Sequence, residues 1–184
     1  RVLLQSSGYH LLGMDHFVLS NDSLYRAFQN GALHRNFQGY CTTHDSVLAF
    51  GSSSISQLKG GYAQNEKDVT RYIAMTEQGT PAIERGLILT QQQRLVRAAI
   101  EQIMCNYGID WSLLAQNLQT DVPGIKQACG IVPGSFDDFV DDGLMQCSET
   151  TIRATPAGMM FIRNMAARMD PLMKNSDKRY SKLA

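Results

Sequence analysis

Polar side chains recur at every second position of one short segment, LHRNFQGYCTTHD, residues 33–45. The recurring side chains are His34, Asn36, Gln38 and Tyr40. Because neighbouring side chains of a β-strand point to opposite faces, the segment is predicted to be a strand with one polar face. That face suits a half-exposed edge strand, and it also suits a strand that lines a polar cavity. In a cavity, the amides would bond a polar ligand and Arg35 would pair with a carboxylate; otherwise Arg35 forms a structural ion pair.

Four histidines within the first 44 residues raise the question of a metal site. None of His10, His16, His34 and His44 is four positions from another on a predicted helix, which is the spacing that would indicate a shared metal ion. Asp15 is adjacent to His16, but adjacent side chains of a strand point to opposite faces. We therefore expect hydrogen-bonding roles for the histidines and no metal site.

Two glycine-containing segments lack the patterns of known catalytic loops. GSSSIS (51–56) does not follow the G-x-S-x-G pattern of a nucleophilic serine. KGG (59–61) lacks the remaining residues of a phosphate-binding P-loop. Small-residue clusters of this kind are typical of turns, so no catalytic residue is assigned from these motifs.

The charge balance bears on the kind of partner. Lys plus Arg and Asp plus Glu each number 17 among 184 residues, and 43% of residues are hydrophobic. This composition is typical of a soluble globular protein with a sizeable core. Broad binding to nucleic acid or to an anionic membrane needs an excess of cations. We therefore expect neither partner.

The four cysteines are widely separated, and no two have C-x-x-C spacing. Such cysteines are expected to be free thiols in a reducing compartment. We also find no signal peptide and no apolar run that approaches the roughly 20 residues of a membrane span. The sequence thus predicts a cytoplasmic location.

Residues 1–86 are predicted to form short strands and turns with two helices. One strand is expected at residues 9–19, followed by a short helix capped by Asn21 or Asp22. A second helix is expected from a cap at Asn65, with Asp68 three residues further on, to an end at Gly79.

Residues 87–184 are predicted to be mainly helical. The clearest helix spans residues 90–108, with a capping box of Thr90 and Gln93 and an end at Gly108. Its predicted apolar stripe consists of Val96, Ile100, Ile103 and Tyr107. Further helices are expected after Asp110, at residues 135–143 with Ser135 and Asp138 as caps, and from Thr155 onward, with a β-hairpin before the last. This order suggests a winged-helix-like module.

Four segments in order along the chain carry a resemblance to one family. They are GYHLLGMDHF (8–17), LHRNFQGYCTTHD (33–45), SSISQLKGGYAQN (53–65) and TPAGMMFIRNMA (155–166). Together they resemble the oxygen-independent coproporphyrinogen III oxidases, also called coproporphyrinogen dehydrogenases. These are oxidoreductases of the radical S-adenosylmethionine (SAM) class that act in haem and porphyrin biosynthesis.

The resemblance implies an α+β fold, in which part of an α/β radical SAM barrel (1–86) precedes a mainly helical covering domain (87–184). It implies one [4Fe–4S] cluster and two SAM molecules in the whole enzyme. A SAM-derived radical would remove hydrogen from two propionates of coproporphyrinogen III. Loss of carbon dioxide then leaves vinyl groups and yields protoporphyrinogen IX. In such enzymes the cofactor supplies the radical, while the protein orients and shields the reactants.

Three residues match family positions near the second SAM molecule. They are Phe37, Gln38 and Ile55. An aromatic and an aliphatic side chain can pack on the cofactor, and an amide can bond its polar atoms. The competing interpretation of Phe37 and Ile55 is plain core packing.

The cluster-binding pattern of the family, C-x-x-x-C-x-x-C, is absent from this sequence. Several thiolates must converge on one cluster, and the four cysteines here have no such spacing. We therefore expect this chain to be a C-terminal part of the enzyme, inactive alone and without bound cofactors. Its expected partners are the missing N-terminal half, coproporphyrinogen III as substrate, and a second copy through uncovered strand edges.

Two alternatives remain at this point. The winged-helix-like region could be a nucleic-acid or protein binding module, or the chain could be a non-catalytic porphyrin-binding relative. The neutral charge disfavours nucleic acid, since the last helical region before the tail holds only three cations, Arg153, Arg163 and Arg168.

Overall fold

The computed structural model describes residues 2–13, 16–43 and 46–174. The interpretations given above for Asp15 and His44 concern residues outside these ranges. All strand pairings within the described residues are antiparallel.

The segment predicted as one strand at residues 9–19 is a hairpin. A short helix α1 (Val2–Ser6) leads into β1 (Tyr9–Leu12), which pairs with β2 (His16–Leu19). Gly13 follows β1 with φ +59°, a conformation that glycine adopts without a Cβ clash. A Cβ at Gly13 would also lie only 2.5 Å from ring atom Cζ of Tyr40. The glycine therefore permits both the reversal of the chain and the close approach of Tyr40.

The alternating segment from Leu33 is also a hairpin, so the prediction of a single strand was wrong. Helix α2 (Ser23–Gln29), capped by Asp22 as predicted, precedes β3 (His34–Asn36) and β4 (Gly39–Cys41). The Asn36 side chain accepts a hydrogen bond from the backbone N–H two residues on, at 2.8 Å. This local bond favours a turn, and a pattern of alternating polarity does not reveal it.

The strand register gives the hairpin faces that differ from those of one long strand. Arg35 pairs with Tyr40 across the hairpin, and the Arg35 guanidinium lies 5.2 Å from the centre of the Tyr40 ring. Arg35 and Tyr40 thus share a face, although the alternation placed them on opposite faces.

A three-stranded sheet follows. It consists of β5 (Ile55–Leu58), β6 (Gly61–Asn65) and β7 (Ile83–Ile88), in that order. Helix α3 (Val69–Glu77) connects β6 to β7. Asp68 caps it through a hydrogen bond from the Arg71 N–H, and the predicted cap Asn65 is instead the last residue of β6.

The longest helix, α4 (Gln91–Asn106), contains the predicted capping box of Thr90 and Gln93. Its end differs from the prediction, because Tyr107 and not Gly108 takes the left-handed conformation, with φ +56°. Gly108 instead begins β8 (Gly108–Asp110), where a Cβ would approach the facing strand at 2.8 Å.

Three short helices follow. They are α5 (Trp111–Asn117), α6 (Val122–Ala128) and α7 (Asp137–Asp141). Asp110 caps α5 as predicted. The sequence analysis missed α6 because its first turn contains proline and glycine, although Asp121 caps it and proline is well tolerated there.

The predicted caps of the helix around Phe136 are wrong. Ser135 Oγ accepts a hydrogen bond from the Val132 N–H, and Asp138 binds Arg168. Helix α7 begins after Phe136 without a side-chain cap, since a local turn uses the Ser135 oxygen and a long-range pair uses the Asp138 carboxylate.

A second three-stranded sheet contains the predicted hairpin, β9 (Met145–Cys147) with β10 (Thr151–Ala154). Its strand order is β8-β10-β9. A 3₁₀ turn (Gly158–Phe161), α8 (Ile162–Arg168) and α9 (Pro171–Lys174) complete the described chain.

Helix α4 joins the two parts of the core. The larger cluster gathers buried side chains of α4, α5, one face of the second three-stranded sheet and α8, including Ile103, Trp111 and Met165. A smaller cluster contains Leu12, Val18, Leu33 and Cys105. Because Ile103 and Cys105 both lie on α4, this helix connects the first strands to the helical part.

The buried thiols predict a pattern of chemical modification. Burial, with a smaller contribution from the charge of Glu101, raises the pKa of Cys105 to about 12. At pH 8 this thiol stays protonated and enclosed, so we expect no reaction with iodoacetamide in the native protein. Cys129 is also buried, whereas Cys147 is exposed and serves as the internal control. Mass spectrometry should find Cys147 modified first and Cys105 only after urea is added; early modification of Cys105 would contradict the packing.

The pair between α7 and α8 predicts a pH dependence. The hydrogen bond from Arg168, at 2.6 Å, holds the pKa of Asp138 below the ordinary value for an aspartate. A carboxylate with a depressed folded-state pKa stabilises the fold above its unfolded pKa, and the contribution is lost as the pH falls through the folded value. Asp138→Asn should therefore be slightly less stable than the wild type at pH 6, and equally stable in strong acid. Asp141→Asn is the matched control for urea midpoints across this range; a constant difference at all pH values would contradict the assignment.

Candidate functional site

A cleft of about 830 Å³ lies between α4, the first three-stranded sheet, the β3–β4 turn and the start of α9. Its size is within the range of clefts that hold small molecules and cofactors. The cleft therefore brings together parts of the chain that are far apart in sequence.

One wall of the cleft is a face of the β5–β6–β7 sheet. Gln57, Tyr62 and Leu87 are register partners across the three strands, and all three line the cleft. Phe37, in the turn of the preceding hairpin, meets the Tyr62 ring edge-on with centres 5.7 Å apart. This arrangement gives the wall two aromatic rings.

The opposite wall is the outer part of the apolar stripe of α4. Val96, Ile100 and Met104 recur every four residues and line the cleft, whereas Ile103 is fully buried in the core. The stripe predicted from the sequence therefore serves two surfaces, because it is wide enough to face both the core and the cleft.

The charged side chains of the cleft are three arginines and two carboxylates, a difference of 3 − 2 = +1. They are Arg35, Arg97, Arg163, Glu101 and Asp170. In a partly enclosed apolar site such an excess attracts an anionic ligand.

Arg97 has a structural role. Its guanidinium donates to the carbonyls of Leu58 and Lys59, at 3.3 and 3.1 Å, and lies 5.7 Å from the centre of the Tyr62 ring. These contacts join α4 to the turn between β5 and β6. Arg97 thus shapes the sheet wall more than it offers donors to a ligand.

Two polar side chains of α4 hold the β3–β4 hairpin against the cleft. Glu101 Oε1 lies 3.1 Å from His34 Nδ1 and accepts from the Arg35 N–H at 3.3 Å. Asn106 bonds both the N–H and the carbonyl of Leu33, each at 3.2 Å. These contacts are long-range, and no local sequence signal could have identified them.

The structure places the three predicted site residues differently. Phe37 is 58% exposed and lines the cleft, whereas Gln38 is exposed in the same turn and does not line it. Ile55 is half-buried on β5, two residues from Gln57, and so shares the face that lines the cleft without lining it itself. Tyr62 lines the cleft too, and the sequence analysis had not identified it.

The described residues form neither a metal site nor a membrane-spanning helix. Among residues 2–13, 16–43 and 46–174, no group of three His, Cys, Asp or Glu side chains is placed to hold a metal ion. In the same described part of the chain, no helix is both long and apolar enough to cross a bilayer. The cleft is therefore the candidate site within the described residues.

Comparisons with known proteins identify relatives of this chain. Residues 89–161 match the model of the HemN C-terminal domain. The chain is 34% identical to an oxygen-independent coproporphyrinogen III oxidase of Salmonella typhimurium over 94% of its length and 37% of that protein. It is 33% identical to the enzyme of that name from Thermostichus vulcanus, over 97% of this chain and 55% of that protein.

A solved structure is also similar. It is described as "Coproporphyrinogen III oxidase (HemN) from Escherichia coli is a Radical SAM enzyme", with a TM-score of 0.82 and 35% sequence identity. The match covers 92% of this chain and 39% of that one. The chain thus spans well under two thirds of the length of these relatives, and it matches their C-terminal part.

Proposed function

Because the chain carries a HemN C-terminal domain and is homologous to the oxygen-independent coproporphyrinogen III oxidases, we propose that it is part of an oxidoreductase of that kind. The whole protein would convert coproporphyrinogen III to protoporphyrinogen IX by decarboxylating two propionates. The whole protein would act in haem biosynthesis. Cysteines that form no disulfide are typical of the reducing cytoplasm, which is the location we propose.

The observation that carries this proposal is the chemistry of the cleft. Coproporphyrinogen III has an apolar macrocycle with carboxylate arms. The cleft offers apolar walls, from Val96, Ile100 and Met104 on one side and Leu87 on the other, together with an excess of arginine. Apolar walls bury the macrocycle, and guanidinium groups meet the carboxylates.

The residues present fit a SAM molecule at one end of this site. Phe37 and Tyr62 offer aromatic rings for an adenine, Ile55 adds an aliphatic surface on the same sheet face, and Gln38 offers an amide from the turn. When bound, SAM supplies the radical that removes hydrogen from the propionate. The residues named here would position it and keep water away.

The described cysteines do not fit an iron–sulfur cluster. Cys105 and Cys129 are buried in the core, and Cys41 and Cys147 lie in different sheets. A cluster needs several converging thiolates. We therefore assign the cluster to the part of the relatives that this chain does not match, and we expect the chain alone neither to bind it nor to turn over.

The same assignment implies a different role for each of the two predicted domains. Residues 1–86 would belong to the radical SAM barrel, and residues 87–184 would form the winged-helix-like domain that covers it. The contacts of α4 with the β3–β4 hairpin support this arrangement, because they close one side of the cleft.

Anaerobic turnover tests the proposed function. A whole protein that contains this chain should convert coproporphyrinogen III to the divinyl product when SAM, a reductant to cleave it, and an acceptor for the electron released with each carbon dioxide are supplied. Chromatography of the oxidised porphyrins measures the conversion, and a reaction without SAM is the control. Absence of decarboxylation by a cluster-loaded whole protein would refute the proposal, and an iron–sulfur absorption band from the reconstituted chain alone would refute the assignment of the cluster.

A further inference from the structure

Two of the three cleft arginines have guanidinium donors that no described residue uses. The Arg35 guanidinium lies over the Tyr40 ring, 5.2 Å from its centre, and makes no hydrogen bond with any described residue. Arg163, exposed on α8, likewise has no hydrogen bond or ion pair with the described part of the chain. Arg97 differs, since two backbone carbonyls accept its donors.

The carboxylates of the cleft do not neutralise these two groups. Glu101 bonds His34 and the backbone N–H of Arg35, and its side chain is only 12% exposed. Asp170 Oδ1 accepts from the Leu172 N–H at 2.9 Å, which caps α9. Each carboxylate is thus directed toward a protein partner other than a cleft guanidinium.

Helix α4 lies between the two arginines. The hairpin that carries Arg35 and the helix that carries Arg163 both pack against α4. The stripe of Val96, Ile100 and Met104 faces the cleft between them. A ligand that spans both guanidinium groups must therefore carry its carboxylates on an apolar body.

We propose that Arg35 and Arg163 bind two carboxylates of one tetrapyrrole, while α4 supports the ring between them. This assignment rests on the proposed function and adds the residues that determine substrate specificity. The cation–π contact with Tyr40 helps to hold the Arg35 guanidinium at the cleft. Arginine suits this role because its fork matches the geometry of a carboxylate.

Equilibrium binding to the 184-residue chain tests the assignment, with coproporphyrin III as the stable, oxidised probe. Arg35→Ala and Arg163→Ala should each weaken binding by about tenfold, as expected for the loss of a charge-assisted hydrogen bond. Arg35→Lys should weaken it less, because it keeps the charge and loses the fork. The Soret absorbance measures binding, and thermal melting checks that each variant is folded.

Arg153→Ala is the matched control, since Arg153 is an exposed arginine on β10 and does not line the cleft. It should bind coproporphyrin III like the wild type, and the tetramethyl ester of coproporphyrin III should bind the wild type about a hundredfold more weakly than the free acid. Equal binding by the Arg153, Arg35 and Arg163 variants would overturn the assignment.

SAM is the second probe, because it also carries a carboxylate. If Arg35→Ala weakened SAM binding and left coproporphyrin III binding unchanged, the assignment would be overturned in favour of a cofactor contact. If the wild-type chain bound no coproporphyrin III while the whole protein still decarboxylated it, the assignment would fail and the proposed function would stand. If the chain bound coproporphyrin III with the expected variant effects but the whole protein did not decarboxylate it, the assignment of the two arginines would stand and the proposed function would fail.

Discussion

Replacing Gly158 with alanine is expected to destabilise the protein by about 3 kcal/mol, because the added methyl group meets backbone and not a flexible side chain. A Cβ at Gly158 would lie 2.7 Å from the carbonyl carbon of Leu144 and closer still to its oxygen. That carbonyl is held in place, since it accepts a hydrogen bond from the Thr155 N–H at 2.9 Å. The Thr155 hydroxyl in turn accepts from the Gly158 N–H at 3.1 Å.

The same contacts explain the T-x-x-G pattern of TPAGMMFIRNMA. The threonine caps the turn, and the glycine lets the turn pass directly over the chain at Leu144. The melting temperature of Gly158→Ala should fall by roughly 6–12 °C. Gly60→Ala is the control, because open space surrounds a Cβ at that position. A melting temperature equal to that of the control would show that the turn can move away from Leu144 at little cost.

Replacing Ile55 with aspartate should reduce SAM-dependent decarboxylation by the whole protein at least tenfold. Ile55 lies half-buried on the sheet face that continues into the cleft wall at Gln57. A carboxylate there would have to lose water beside an apolar part of the cofactor, and an unpaired charge in such a place is costly. The ratio kcat/KM for SAM should therefore fall, while coproporphyrin III binding to the chain stays unchanged.

Ile88→Asp separates this effect from a general loss of stability. Ile88 is 88% exposed and immediately follows Leu87, so its side chain points to the opposite face of the sheet. The control should keep near-normal activity, and both variants should melt close to the wild type. Normal activity of Ile55→Asp would remove Ile55 from the proposed SAM site, whereas equal losses in both variants would indicate damage to the sheet.

Local signals in the sequence were sufficient for several helix starts. Asp22, Thr90 and Asp110 each cap the helix that follows, as predicted, whereas Asp68 caps α3 in place of the predicted Asn65. In each case the side chain bonds a backbone N–H two or three residues further on. Such contacts depend on neighbouring residues alone, so they can be predicted from the sequence.

The resemblance to the oxygen-independent coproporphyrinogen III oxidases is likewise confirmed from sequence and structure. The motifs that carry it lie in order along nearly the whole chain. The boundary at residues 86 and 87, and the roles of Phe37, Gln38 and Ile55, stay predictions.

The turn at Phe37 and Gln38 was not predicted from the local sequence pattern. Alternating polarity predicted one strand, but the side chain of Asn36 bonds the backbone of the turn and reverses the chain. Only the reversal brings Phe37 against Tyr62, 25 residues further along the sequence, and places Arg35 over Tyr40.

The sequence by itself therefore determined the resemblance to the oxygen-independent coproporphyrinogen III oxidases, several helix caps and the apolar stripe of α4, because each depends on residues close together along the chain. The tertiary structure alone decided which residues surround the cleft. Arg35 and Arg163 are separated by more than a hundred residues, and they share the cleft only because β3 and α8 both pack on α4. Side-chain packing between distant segments depends on all of these segments at once. The residue pattern within one segment therefore cannot predict which side chains will meet.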